Sequence, residues 1–289
     1  MDISVIIPFL KNVEWLYEAV NSIRESSNLS YEIILIDDGS QETIDLAKLN
    51  QRDLRLVRQS NQGPGPARNL GISMAEGDYV AFLDADDLFL DNKLADQLEY
   101  MRKNALIWSH TSYIRFYTDG LEEIIDNSKF SGNVFPLCFA SNPIATPTVM
   151  VKRSALIEHA IAFSNDMRFG EDGFLWCQLA SKYPLGEIKE PLSKVRINGD
   201  NAFKRAWNHL YVKAQMYSFL QQNHIYYENR PIPGIIKFCY WLSRLEFNFI
   251  SLLFPEPDES FLAEFLSRIL SAPQFLLLRL FYWKETKCE

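Results

Sequence analysis

The run Tyr79-Val80-Ala81-Phe82-Leu83, followed at once by Asp84-Ala85-Asp86-Asp87, constrains this chain more than any other segment. Five apolar residues bounded by Glu76-Gly77-Asp78 read as a short strand buried on both faces. Strands of that kind belong to parallel sheets covered by helices, so an α/β architecture is expected. Three carboxylates released together at the strand's carboxyl end repel one another unless a cation sits among them. In open α/β sheets, ligands bind at that end. The cluster therefore suggests a divalent metal presented to an anionic ligand. A plainer reading makes Asp84 or Asp87 the cap of a helix near Asp91–Arg102. One aspartate explains a cap; three in four residues ask for more.

The rest of the first half alternates in the same way. Strands are expected at Ser4–Ile7, Glu32–Ile36 and Leu54–Arg58, with helix patterns at Trp15–Ser26, Thr43–Asn50 and Pro66–Ala75. That succession implies right-handed crossovers and a mostly parallel sheet flanked by helices. After Lys93–Lys103, Leu106–Tyr117 and Leu121–Ile125 flank the turn Thr118-Asp119-Gly120 as a hairpin. A strand at Thr148–Val151, a helix through Phe174–Lys182 and a strand at Leu192–Ile197 complete a domain over residues 1–200. Residues 201–289 read as a helical C-terminal extension. Within it, Ile235–Phe254 and Gln274–Trp283 are apolar and aromatic but interrupted by Lys237, Arg244, Glu246 and Arg279. Two readings stand: helices packed on the catalytic domain, or amphipathic segments lying on a membrane surface.

The chain has 289 residues, 47% of them apolar and 23% charged, an ordinary composition for a globular protein with a substantial core. A formal charge of −8 argues against nucleic acid as a partner, because phosphate backbones require clustered Lys and Arg. It also poses a problem: an acidic protein that binds a diphosphate needs a metal or local cations. Cys138, Cys177, Cys239 and Cys288 lack metal-ligand spacing and read as reduced thiols of a cytoplasmic protein. The apolar start, Ile3-Ser4-Val5-Ile6-Ile7, has no basic region before it and reads as a first strand, not a signal peptide. No uninterrupted apolar run reaches the roughly 20 residues of a membrane span.

Three further motifs carry chemistry. Glu32-Ile33-Ile34-Leu35-Ile36 ends in Asp37-Asp38-Gly39-Ser40, a second pair of carboxylates at a strand end. A carboxylate there can accept a nucleobase N–H while Gly39 admits close backbone approach; an Asx turn accounts for one of the two aspartates equally well. Asn61-Gln62-Gly63-Pro64-Gly65-Pro66-Ala67-Arg68-Asn69 is a shaped loop entering a helix, with Arg68 either a cation for a diphosphate or a solvated helix residue. Gly170-Glu171-Asp172-Gly173 precedes a helix, where Asp172 suits an N-cap or a general base.

Taken in order, these segments resemble the family 2 glycosyltransferases of the GT-A fold. The resemblance rests on Ser4-Val5-Ile6-Ile7-Pro8, Ile36-Asp37-Asp38-Gly39-Ser40, Asn61-Gln62-Gly63 with Ala67-Arg68-Asn69-Leu70-Gly71, Phe82-Leu83-Asp84-Ala85-Asp86-Asp87 and Gly170-Glu171-Asp172, over roughly the first 200 residues. It implies a GT-A-type, Rossmann-like sheet and an inverting transfer of one sugar from a nucleotide donor, UDP favoured, to a saccharide or lipid-linked saccharide. It also implies roles for single residues. Pro8, Asp37, Asp38, Gly39, Arg68, Asp84 and Ala85 border the nucleotide. Asp86 and Asp84 hold Mn²⁺ or Mg²⁺, Asp172 is the base, and Glu171, Arg196 and Asn198 contact acceptor or loop. The helix-cap reading, which comes from the residue pattern and not from the resemblance, survives for Asp87 only. Where many members carry Tyr-Arg-x-His, this chain has Val195-Arg196-Ile197-Asn198, and an amide oxygen is a weaker metal ligand. The Gln-x-x-Arg-Trp motif of processive synthases is absent, so a single addition is expected. The expected setting is bacterial surface polysaccharide synthesis at the inner face of the cell membrane, with peripheral membrane association as the tail's second reading. A catalytically silent sugar-nucleotide-binding subunit is the alternative. A nucleotidyltransferase fits less well, because Pro8-Phe9-Leu10-Lys11-Asn12 lacks the glycines that cradle a triphosphate.

Overall fold

The structure, a computed structural model, describes residues 1–24, 29–49, 53–198, 206–222, 230–254 and 260–287. The first half runs β1 (Ile3–Phe9), α1 (Val13–Asn21), β2 (Tyr31–Asp37), β3 (Leu54–Arg58), α2 (Pro64–Met74), β4 (Tyr79–Phe82), β5 (Leu88–Phe89) and α3 (Lys93–Lys103). Then come β6 (Trp108–Tyr117), β7 (Glu122–Ile125), β8 (Met150–Lys152), α4 (Arg153–Glu158), α5 (Glu171–Lys182) and β9 (Leu185–Ile197). Helices α6 (Ala206–Gln222), α7 (Gly234–Leu253) and α8 (Phe261–Lys287) follow.

One compact unit comprises Met1–Val134, Pro143–Arg168 and Lys182–Asn198. Its sheet has nine strands in the order β3-β2-β1-β4-β8-β6-β9-β5, with β7 on β6. The strands β3, β2, β1 and β4 are mutually parallel, as continuous apolar runs joined by helices dictate. Beyond β4 the sheet is mixed: β8 is antiparallel to β4 and β6, while β9 is parallel to β6. Ile3, Val5, Ile7, Ile33, Leu35, Ala81 and Leu83 are buried against Leu16, Val20, Leu94, Leu98 and Met101. At the amino ends of the strands, Gly77 runs against the backbone of β1. A Cβ there would stand 2.5 Å from the Ser4 nitrogen, so only glycine fits.

Two expected elements differ. Thr43–Asn50 is not an α-helix; it holds one 3₁₀ turn at Leu46–Lys48, and Asn50 lies outside the described residues. This segment and the residue before it are tied to α1 instead. Glu42 caps α1, accepting from the Asn12 and Val13 N–H groups at 2.5 and 2.9 Å, and the Asp45 N–H donates to Tyr17 Oη at 2.8 Å. The last strand starts seven residues before Leu192, because pairing with β6 carries it through the polar stretch Glu187–Pro191, which has no apolar alternation. The expected helix Trp15–Ser26 is α1, and Ser26 lies outside the described residues.

The other unit gathers Phe135–Asn142, Phe169–Ser181 and Gly199–Glu289, and so includes most of α5. Trp207, Leu210, Ile250 and Ala263 form its small apolar centre, with Trp207 stacked on Phe247 at 4.8 Å. Glu264 of α8 caps α6 through the Ala206 and Trp207 N–H groups at 2.9 and 3.1 Å. Cys138, Cys177 and Cys239 are buried free thiols; Cys288 lies outside the described residues.

Candidate functional site

In the first unit, two strands of the sheet's parallel half, β2 and β4, lead into carboxylates. Strands β1 and β2 run in register to Phe9 and Asp37, with Pro8 opposite Ile36. Asp37 accepts the Ser40 N–H at 2.7 Å and lies 3.5 Å from the Arg58 guanidinium. This is the Asx turn that the sequence allowed. Asp38 is also buried, and it accepts from Gln59 Nε2 at 2.7 Å, the Gln62 N–H at 2.9 Å and the Gly63 N–H at 2.8 Å. It thereby fixes the loop that leads into α2. Those donors use three of roughly four acceptor positions on a carboxylate, which leaves one for a ligand. Gly39 has φ +82°, and a Cβ on it would meet the Asn61 nitrogen at 2.9 Å. Its freedom serves the chain's own loop.

From Gly63 the path continues through α2. Arg68, one turn into the helix and buried, pairs with Asp84 and lies 5.3 Å from the Phe163 ring. It is therefore neither a solvated helix residue nor aimed at open solvent. The tie joins α2 to the end of β4.

The segment Asp84-Ala85-Asp86-Asp87 is a tight turn closed by the Asp87 N–H to the Asp84 carbonyl at 3.0 Å. Arg196, at the end of β9, grips this turn from the other side. Its backbone N–H donates to Asp87 Oδ1 at 2.8 Å and its Nε to the Asp86 carbonyl at 2.8 Å. Its guanidinium lies between the Trp15 and Phe116 rings, at 4.9 and 4.5 Å from their centroids, and pairs with Glu18 at 2.5 Å. Asp87 is thus not a helix cap. Helix α3 starts at Lys93 with Asn92 in the left-handed region at its N-cap, and the buried Asp87 carboxylate belongs to the Arg196 backbone.

Even with two arginines, the turn is short of positive charge. Burial, and after it the Asp84 carboxylate, pushes Asp86 up to about 6. Burial, then Asp86 and Asp84, pushes Asp87 well above the usual carboxylate range. Among the described residues no group of three His, Cys, Asp or Glu side chains is arranged to hold a metal unaided. The donors present are hard carboxylate oxygens crowded enough to resist ionising. That matches Mg²⁺-type sites, where one or two carboxylates bind the ion and substrate phosphates and water complete the shell.

Glu171 and Asp172 belong to the other unit. Gly170, at φ +73°, turns the chain so that α5 begins at Glu171, and the Phe174 N–H donates to the Gly170 carbonyl at 3.1 Å. Asp172 is therefore the second residue of the helix and not its N-cap. Its Oδ1 accepts the Gly173 N–H at 2.6 Å, and Glu171 is buried beside it. Asn198 follows β9 as the last described residue of the first unit. The structure thus brings together Pro8, Asp37, Asp38, Gly39, Arg68, Asp84, Ala85, Asp86 and Arg196 in one unit. Sequence reasoning missed Gln59, Phe163, Glu18, Trp15 and Phe116; each acts across the fold, with no local signal.

Arg196→Met should cost about 1–2 kcal/mol, through the lost hydrogen bond to the Asp86 carbonyl and the lost contact with the Trp15 and Phe116 rings, since its ion-pair partner Glu18 is exposed. Arg196→Lys should recover less than half of that, since an ammonium cannot reach the Asp86 carbonyl and Glu18 in one plane. Urea unfolding checks both. Equal stabilities for wild type and Arg196→Met would mean that the grip contributes nothing.

Residues 4–158 match the family described as glycosyl transferase family 2. Asp172 and Arg196 lie beyond the matched range. An uncharacterized glycosyltransferase of Rickettsia bellii is 44% identical over 203 residues, 69% of this chain. The chain spans only 29% of that relative and 33% of the two from other Rickettsia species. An uncharacterized glycosyltransferase of Haemophilus influenzae is 31% identical over 256 residues, covering 85% of this chain and 95% of the relative. At 26% identity over 230 residues stands WfgD of Escherichia coli, a UDP-Glc:α-D-GlcNAc-diphosphoundecaprenol β-1,3-glucosyltransferase; 71% of this chain and 84% of WfgD align. Among solved structures, S. aureus TarS 1–349 in complex with UDP-GlcNAc superposes with a TM-score of 0.63 at 17% identity. The match covers 96% of this chain and 81% of that one, and is a likeness of fold.

Proposed function

The chain belongs to glycosyl transferase family 2, and from that premise we propose that it moves one sugar from a UDP-sugar to a hydroxyl of a saccharide or lipid-linked acceptor, with inversion. The setting we propose is bacterial surface-glycan synthesis at the inner face of the cell membrane. The observation that carries this reading is the acidic turn Asp84–Asp87, gripped by two arginines yet still short of positive charge, at the ligand end of a parallel sheet. WfgD, a glucosyltransferase that uses UDP-glucose and a diphosphoundecaprenol-linked sugar, and TarS with UDP-GlcNAc support the donor and acceptor classes.

In this reading the loop held by Asp38, with Pro8 and Gly39 beside it, receives the nucleoside, and the remaining acceptor position on Asp38 takes a base N–H. Asp86 and Asp84 hold Mn²⁺ or Mg²⁺. When bound, such an ion supplies Lewis-acid neutralisation of the departing diphosphate. Arg68 and Arg196 keep the turn from splaying under its own repulsion. Asp172 accepts the proton of the acceptor hydroxyl as that oxygen attacks the anomeric carbon. The silent-binder alternative has no observation in its favour.

Nucleotide release from a panel of UDP-sugars, with a lipid-linked acceptor, tests this. Turnover should require Mn²⁺ or Mg²⁺, fall to background in EDTA and return when metal is restored. Release that survives EDTA would end the metal assignment. No release from any donor would end the transferase reading.

A further inference from the structure

The helices α7 and α8 carry their polarity inside out. On α8, Ser267 and Gln274 are fully buried on the inward face, with Ser267 Oγ donating to the Ala263 carbonyl at 2.7 Å and Gln274 Nε2 to Glu246 at 2.5 Å. On α7, Ser243 is fully buried. The outward faces are apolar. Phe238, Trp241, Leu245, Phe249 and Leu252 form one line on α7; Leu262, Phe265, Ile269, Leu276, Leu280 and Trp283 form another on α8. Phe261 and Leu252 are 86% and 82% exposed. A helix in water does the reverse, turning Ser and Gln out and Phe and Leu in.

What covers these faces follows from their width and charge. At 3.6 residues per turn, the exposed apolar positions of α8 occupy roughly 200° of its circumference. Packing against one partner helix needs a stripe of about 100°. The apolar face of α8 is wider than that, which suits immersion better than a second copy of the chain. Its cations lie roughly 20–40° inside the edges of that arc: Arg268 and Arg279, three turns apart, near the Phe275 edge, and Lys284 near the Leu277 edge. Among the described residues, the charged side chains exposed on α7 and α8 are Lys237, Arg268, Arg279 and Lys284 against Glu285, in a chain of net charge −8. Arg268 also pairs with Glu264. Among the described residues, α8 is the one helix long and apolar enough to cross a membrane, but cations along its margin suit a helix lying in the interface.

We propose that α7 and α8 seat the protein on an anionic lipid bilayer, their apolar faces in the boundary between headgroups and acyl chains and their marginal cations at lipid phosphates. The seat deepens the proposed function, on which it rests only for the side of the membrane and the nature of the acceptor.

Co-sedimentation of the full chain with vesicles of phosphatidylcholine and phosphatidylglycerol tests it. Wild type should pellet with these vesicles and less with phosphatidylcholine alone, and its tryptophan emission should shift to the blue and be quenched by brominated acyl chains. The triple variant Leu252→Asp, Phe261→Asp, Phe275→Asp changes only exposed side chains and should bind at least about tenfold more weakly. The control Leu121→Asp, Ile124→Asp, exposed residues of the first unit, should bind like wild type. Wild type that ignores vesicles, or a triple variant that binds equally well, overturns the proposal. So does a stoichiometric dimer that the triple variant disperses, which would assign the faces to a second copy. The two readings fail separately. Vesicle binding without nucleotide release from any donor keeps the lipid seat and ends the transferase reading; turnover on a soluble acceptor without vesicle binding does the opposite.

Discussion

Asp172→Asn is expected to lower turnover by about 10²–10⁴-fold, the usual worth of a positioned general base, while donor affinity stays within a factor of about two. Asparagine suits the test because its amide oxygen can still accept the Gly173 N–H, so the start of α5 survives the change. What is lost is the ability to take a proton. Steady-state kinetics with saturating donor, alongside calorimetric titration of UDP, separates the two effects. Near-normal turnover would remove Asp172 from the base role. A parallel loss of UDP binding would instead make it part of donor recognition.

The second large effect is on stability. Lys93 opens α3 with its ammonium fully buried, 4.4 Å from the centroid of the Phe89 ring and with no hydrogen-bond partner among the described residues. Burial alone pulls it down to about 7. The unfolded chain holds that proton to about pH 10.4. Between about pH 7 and 10.4 the unfolded state therefore binds one more proton than the native state, so stability rises with pH by about 1.4 kcal/mol per unit. Below pH 7 both states are protonated and the native state carries the full desolvation cost, on the order of 4 kcal/mol. Lys93→Met keeps the aliphatic stem without the charge. It should raise stability at neutral pH by several kcal/mol and abolish the alkaline rise. Urea unfolding at a series of pH values checks this; parallel profiles for the two proteins would refute it.

The elements that place the site are those with continuous local signals. Strands β1, β2 and β4 are apolar runs, the last two leading straight into aspartates, and α2 is announced by its prolines and the Gly63 turn. The segment Thr43–Asn50 has apolar spacing, yet Leu46 stays exposed and the Asp45 N–H ties the segment to Tyr17 of α1. The first half of β9 is specified by its neighbour β6, which the local pattern cannot show. At the site, the carboxylates were visible as residues but their partners were not. Asp38 holds groups 21 to 25 residues away, and the Arg196 guanidinium meets Trp15, Phe116 and Glu18 only once the sheet is built. Helix caps are short-range by nature, yet Asp87 and Asp172 were both displaced from that role, by a distant backbone N–H and by the left-handed Gly170 respectively.

The two arginines on the acidic turn come from very different distances along the chain. Arg68 precedes Asp84 by 16 residues, whereas Arg196 follows Asp86 by 110. During synthesis, the first restraint is available as soon as β4 emerges. The second must wait for β9, which also supplies the pairing partner of β5. Until then a nascent chain displays three neighbouring carboxylates with one counter-charge. The far arginine thus works as a completion check: a chain cut short before Arg196 has every acidic residue of the turn but only one of the two arginines that hold it.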